Sequence, residues 1–230
     1  MTTNNRRIAL AAAVAASVLL PSSSYATVAR SVSFNEKVDA SATVVLGRCV
    51  KNEARWDASK RWILTYSTFA VDRSLKGAPV QGDLTVVTPG GELNGIRQET
   101  IGAPAFEPGD EQVLFVANSK LGPTIAFMEQ GAYDVQTDSR GEKVIIPAAS
   151  DSVIVDSQRG MAAAAEAPRS LSSFEGAVKQ RVQQQRAEME MIQRRKQSSP
   201  IVDLLGRNKA LVTLALIGAL LATWQLLKQR

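Results

Sequence analysis

Apolar positions along this chain fall into three regimes. Ile8 to Leu20 is a nearly unbroken apolar run, Ala42 to Ile146 alternates short apolar runs with Gly- and Pro-bearing turns, and Leu171 onward moves to helical spacing. The middle regime predicts strands at Ala42–Lys51, Trp62–Arg73, Leu84–Thr88, residues 112–117, Thr124–Met128, Ala132–Gln136 and Val144–Ile146. No helical crossover separates them, so a small antiparallel barrel or sandwich follows.

The stretch Gly102-Ala-Pro104-Ala-Phe106-Glu-Pro108-Gly109-Asp110-Glu111 organises this regime, because it delivers the chain into the apolar run Val113–Val116. Gly109 is expected at a positive φ there. Pro89-Gly90-Gly91 ends one strand, residues 92–101 read as a loop, and Leu75-Lys76-Gly77-Ala78-Pro79 reads as a turn with Lys76 in solvent. Glu53 to Arg61 reads as a polar loop holding Trp56. In the following strand Trp62, Leu64 and Tyr66 keep one phase while Phe69 and Val71 keep the other, which predicts a bulge between them. Asp138-Ser139-Arg140-Gly141 is a hairpin-type turn.

Helices flank the strands. Ser33-Phe34-Asn35-Glu36 fits a capping box opening a short helix to Ser41, and Ser172-Ser173-Phe174-Glu175 fits a second. Leu171, Phe174, Val178, Val182, Met189 and Ile192 then recur at helical spacing through residues 171–197. The first half of that helix carries a stripe that can dock; the second half, with Gln183–Gln185 and Arg194-Arg195-Lys196, is polar enough for solvent or for lipid headgroups. Residues 148–170, rich in Ala, Ser and Arg, read as a flexible connector.

The two ends give an address. Arg6-Arg7, the run Ile8–Leu20 and Ser24-Tyr25-Ala26 have the parts of a secretory signal peptide spanning 1–26, with an uncleaved anchor as the alternative. Ala210 to Leu227 is an uncharged run, about 27 Å as a helix, which suffices for a bilayer core. Trp224 sits where an interfacial anchor would, followed by Lys228 and Arg230 in a 228–230 cytoplasmic tail, and 198–209 is a juxtamembrane linker. The upstream flank carries more basic residues than the downstream one, which opposes this orientation. The signal peptide overrides that bias, since long segments translocate largely regardless of charge. The domain 27–147 is then expected outside the cytoplasm, on a single-pass helix in a bacterial inner membrane, with membrane lipid as one partner and an envelope or exported protein as another.

Charge and chemistry narrow the function. Residues 1–26 carry two basic residues and no acid, and residues 179–230 carry ten basic and three acidic, leaving 15 basic against 19 acidic between them. An acidic domain on a basic neck does not fit a nucleic-acid binder. The chain has no histidine, which removes the usual general base and the commonest zinc ligand. No catalytic, cofactor or metal residues are expected, and the chain reads as non-enzymatic. Pro89-Gly90-Gly91 lacks the Gly-Lys-Ser/Thr of a phosphate loop, and Glu107, Asp110 and Glu111 lack the alternating ligands of a calcium loop. Cys49, the single cysteine, reads as a small buried hydrophobe, with an intermolecular disulfide or a reactive thiol as the alternative.

Three segments together resemble a family of uncharacterised exported bacterial domains over Ser33 to Pro147. They are Val45–Val50 with Tyr66 to Leu75-Lys76-Gly77; Gly90-Gly91 with Gly102-x-Pro104-x-Phe106-x-x-Gly109-Asp110 and Val113-Leu114-Phe115; and Gln130-Gly131-x-Tyr133-x-Val135. More distantly, a strand with Gly-Arg-x-Val, a strand with Tyr and then Leu-Lys-Gly is similar to netrin-like and metalloprotease-inhibitor OB barrels. Those domains use an N-terminal cysteine and disulfides that are absent here, so the resemblance implies barrel topology and no inhibitor residues. The expectation is therefore a mainly β fold: an OB-like barrel, a short N-terminal helix, an amphipathic C-terminal helix and one transmembrane helix. It is expected to act as a membrane-tethered binding module. Alternatives are a regulator of an exported protease, or a surface protein whose tail is a cleaved sorting signal, although the Pro-Glu-Pro-type triplet of such signals is missing.

Overall fold

A computed structural model of the chain describes residues 28–148 and 152–197, with scattered helical positions between Thr213 and Lys228. The signal-peptide stretch 1–26, the linker 198–209, Arg230 and most of 210–227 lie outside the described residues. Among the described residues no helix is long and apolar enough to cross a membrane. Trp224 and Lys228 are helical, with the Lys228 ammonium 5.1 Å from the Trp224 ring centroid.

Strand β1 (Val28–Arg30) leads into helix α1 (Phe34–Ala40). The capping box forms: Glu36 N–H donates to Ser33 Oγ at 3.2 Å, and Ser33 N–H donates to Glu36 Oε2 at 2.9 Å. The Ser33 N–H, with help from the Ser33 hydroxyl and Arg30, holds the Glu36 carboxyl below its usual range. A long hairpin follows, β2 (Thr43–Trp56) and β3 (Ile63–Lys76). Its turn is set by Asp57, whose carboxylate accepts from Ser59 Oγ and from the N–H groups of Arg61 and Trp62 and is held down to about 2. Then come β4 (Asp83–Pro89), a small hairpin of β5 (Gly91–Leu93) and β6 (Ile96–Gln98), β7 (Glu111–Ser119) and β8 (Gly122–Ile125). A 3-10 turn at Met128–Gly131 precedes β9 (Ala132–Thr137) and β10 (Lys143–Pro147). The last elements are β11 (Val153–Asp156), β12 (Met161–Ala162), β13 (Arg169–Ser170) and helix α2 (Leu171–Gln197).

Over residues 28–148 and 152–197 the fold is mainly β with two helices. The large sheet runs β13-β10-β9-β7-β2-β3-β4-β8, and β8 also pairs with β7. The pairings β7–β2–β3–β4–β8 thus return to β7, a closed circuit of five strands. All its neighbours are antiparallel except β4 and β8, which meet in parallel at Val87 and Thr124. Successive residues of β2 and β7 serve two cores. Val44, Leu46, Val113 and Phe115 pack with Val38, Phe174 and Val178 of the helices, while Val45, Leu114 and Val116 pack with Phe69, Val86 and Phe106 inside the circuit. Burial on both faces is why these strands are continuous apolar runs rather than alternating ones.

Several local expectations change. β2 continues to Trp56 because Glu53–Trp56 stay paired with Ile63–Tyr66; the segment is polar since it runs past the packed core. β3 shows no slip between Tyr66 and Phe69: Ile63, Ser67 and Phe69 are all buried in one phase, and the break in the pattern is an inward serine. The β2–β3 pair does shift register at this level, since Cys49 pairs with Phe69 and Lys51 with Thr68, but the extra residue, Val50, lies on β2; further shifts fall at Val44/Val45 and Leu46/Gly47. The 92–101 loop contains most of the β5–β6 hairpin. The stretch read as a connector supplies β11, β12 and β13, and β11 pairs in parallel with β1. The cap of α2 is Ser170, whose hydroxyl accepts from Ser173 N–H at 3.2 Å, rather than Ser172.

Candidate functional site

The candidate site forms where β3 and β4 leave the apolar interior of the strand circuit. Thr65 lies opposite Thr88 and Ser67 opposite Val86, so hydroxyls continue the row that Phe69 begins. Pro89 ends β4, and Gly90 folds back with its N–H on Ile63 O at 2.8 Å and its carbonyl accepting from Thr65 Oγ1 at 2.7 Å. Gly91 sits at φ +130°, and a Cβ there would lie 2.3 Å from Thr65 Oγ1. That close approach requires glycine. Gln98 ties the β5–β6 hairpin down: its Oε1 accepts from Ile63 N–H at 2.5 Å, and its Nε2 donates to Arg61 O at 3.0 Å.

The organising stretch then forms the opposite wall. Ala103 N–H closes a turn on Thr100 O at 3.0 Å, and Phe106 packs edge-on against Phe69 with centroids 5.1 Å apart. Asn52 Nδ2 fixes this wall by donating to Phe106 O at 2.5 Å. Beyond it, Gly109 takes φ +105° and the chain is stitched to β2 by Gly109 N–H on Cys49 O and Cys49 N–H on Asp110 O, both 2.8 Å. The result is a cavity of about 410 Å³ with Thr65, Ser67, Thr88, Gln98 and Phe106 among its walls. Its rim carries Glu92 and an exposed Arg97–Glu99 pair at 3.0 Å.

Gly90, Gly91, Pro104 and Phe106 line this cavity. Gly102 stands behind it, its carbonyl accepting from Glu129 N–H at 2.9 Å, and Gly109 sets the exit from its wall. Tyr66 points elsewhere, with the Arg55 guanidinium 5.0 Å from its ring. Lys76 and Gly77 lie at the far end of β3, and Lys76 is not a solvated turn residue. Its ammonium donates to Val38 O and Asp39 O, capping the C-terminus of α1, and burial pulls its pKa down. The residues that sequence reasoning missed are Ser67, Thr65, Thr88 and Gln98. The signal for Ser67 is the broken phase of β3, which a bulge between Tyr66 and Phe69 would also produce.

Other clusters are self-satisfied. Lys37 Nζ donates to Tyr133 Oη at 2.6 Å and Glu166 Oε2 at 3.1 Å, while Tyr133 donates to Glu166 Oε2 at 2.7 Å and Arg169 meets Glu166 Oε1 at 3.2 Å. Burial, then the Glu166 carboxylate, raises the Tyr133 pKa far above its usual value. This network borders a larger cavity of about 620 Å³ walled by Val32, Ile146, Val153 and Ile154. Its members saturate one another, as a structural buried pair does. Asp110 accepts from Glu107 N–H at 3.1 Å and Glu111 pairs with Arg48 and Lys143, so these carboxylates do not converge as calcium ligands. Among the described residues no group of three or more His, Cys, Asp or Glu could hold a metal ion.

No family model, curated protein or solved structure matches the chain. A functional reading must stand on the geometry of the cavity.

Proposed function

We propose that the chain is a membrane-tethered extracytoplasmic binding module, non-enzymatic, whose recognition site is the cavity between β3, β4 and residues 90–106. The five-strand circuit is an OB-like barrel in this reading. Its order β7-β2-β3-β4-β8, with the single parallel contact between β4 and β8, is the arrangement such a barrel needs to close. The observation that carries the reading is the cavity itself: a polar pocket at the mouth of a closed strand circuit, a place where barrels hold ligands. Its walls offer hydroxyls and an amide. The leader 1–26 and the uncharged run 210–227 support export and a single-pass anchor, and the exposed basic end of α2 suits anionic headgroups nearby.

The test uses the full chain in its own membranes, with a photo-crosslinking residue at Arg97 on the cavity rim or at Arg159 in the β11–β12 turn. Retention in the membrane pellet after alkaline washing, and an envelope adduct formed from position 97 but not from 159, are expected. Release of the chain by the wash removes the tether from the reading. Equal adducts, or none, at the two positions remove the cavity as its recognition site.

A further inference from the structure

We propose that the cavity binds a neutral, polyhydroxylated ligand, a saccharide unit, through Ser67; this rests on the cavity being the recognition site. Ser67 is 1% exposed, and its hydroxyl finds no hydrogen-bonding partner among the described residues. It lines the cavity next to Thr65 and Thr88. A buried hydroxyl left without a partner is unfavourable, so a site evolved to keep one there gains when a ligand or water supplies the missing bond.

The class of ligand follows by elimination from the walls. A purely apolar ligand would leave Ser67 as it is and strip water from Thr88, itself only 5% exposed. A charged ligand would need a counter-charge inside. The cavity has none: its charges are Glu92, Arg97 and Glu99 at the rim, and Arg97 and Glu99 already pair with each other. An extended peptide would need a strand edge for main-chain pairing. β3 offers no such edge, because Thr65 and Ser67 are paired to β2 on one side and to β4 on the other, and main-chain pairing at the edge of β4 or of the β5–β6 hairpin would not by itself reach the Ser67 hydroxyl. What the cavity does present is hydroxyl groups, those of Ser67 and Thr88 able to donate or accept and that of Thr65 left to accept by its bond to Gly90 O, with Phe106 and the rings of Pro89 and Pro104 as apolar surface. Sugar hydroxyls have the same dual capacity, and sugar C–H faces pack on such surfaces. The volume of about 410 Å³ lies toward the small end of the range for ligand sites, which suits one or two sugar units.

The test is saturation-transfer NMR and calorimetry on the full chain in detergent micelles, with N-acetylglucosamine and glucose as probes and the neutral peptide acetyl-Ala-Pro-Ala-amide as comparison. Saturable binding of at least one sugar is expected, weakened about tenfold or more in Ser67→Ala, about the loss of one hydrogen bond. Glu190→Ala, on the exposed half of α2, should bind as wild type does. Should Ser67→Ala not fold, Ser67→Cys keeps the shape, bonds more weakly and should show the same direction. Failure of both sugars to saturate overturns the proposal, as does sugar binding indifferent to Ser67. A high-resolution structure in which a water holds Ser67 Oγ and stays in place at saturating sugar also overturns it. Peptide binding without sugar binding overturns the ligand class but leaves the cavity as a recognition site; the crosslinking at position 97 fails independently of either.

Discussion

Gly109 decides how the chain enters β7. At φ +105° its amide reaches Cys49 O and its carbonyl accepts from Arg48 Nη1 at 2.6 Å, and both bonds hold Phe106 and Asp110 in their places on β2. Among the described residues nothing lies within 4 Å of where a Cβ would stand, so the penalty of a Cβ there is backbone strain rather than a clash. Gly109→Val should therefore lower stability by about 1–3 kcal/mol, read as a lower Tm of the full chain in detergent. An unchanged Tm would mean that the turn can relax to another conformation without losing its bonds to β2. Gly109 was legible from its neighbours, since Pro108 before it and the acidic pair after it mark a turn that needs a positive φ. Ser67 was not legible as a cavity residue. A serine in the alternate row Ile63, Thr65, Ser67, Phe69 looks the same in sequence whether the strand has slipped or a pocket opens beside it.

Packing between the helices explains which parts of α2 are fixed. Phe174 is buried against Phe34 and Phe115, with ring centroids at 5.2 and 6.0 Å, whereas Met189 and Ile192 are exposed. One polar staple extends the docked half: Arg181 donates to both Asp39 oxygens at 2.7 Å, and Gln185 donates to Asp39 Oδ1 at 2.7 Å. The Arg181 hydrogen bonds are the main reason the Asp39 carboxyl titrates below its usual value. A carboxyl with a depressed folded pKa stabilises the fold above its unfolded pKa, near 3.8, and that contribution is lost as pH falls through the lower folded value. Asp39→Asn should accordingly lose some stability at pH 7 and show a flatter stability profile below about pH 4, followed by thermal unfolding across that range. Parallel profiles for the two proteins would mean that the staple contributes nothing to folding. The capping box of α1 and the stripe of α2 could be read from spacing because both depend on neighbours in sequence. The β5–β6 hairpin, β11 and its parallel partner β1 could not, because their short runs gain stability only from pairing across the fold.

The closed circuit is unevenly joined. β2 and β3 stay paired from Val44–Lys76 to Trp56–Ile63, but β4 meets β8 only at Val87 and Thr124, where Thr124 Oγ1 donates to Val87 O at 2.9 Å. A circuit opens first at its least-bonded seam, and here that seam adjoins Thr88 at the cavity. The aromatic and aliphatic packing of Phe69, Val86, Leu114 and Ile125 on the inner side resists separation, so opening is local rather than global. Thr124→Val keeps the shape and removes the hydroxyl donor, and should cost about 0.5–1.5 kcal/mol. The cost should be confined in space: by hydrogen exchange on the full chain, β4 and β8 amides should lose protection while the β2–β3 hairpin keeps its own. Uniform loss along every strand would mean that the circuit opens as one cooperative unit and the seam has no separate existence. A seam that opens alone lets the cavity wall at Thr88 move while the β2–β3 floor holds Thr65 and Ser67 in register, so the cavity mouth can change shape without unfolding of the domain.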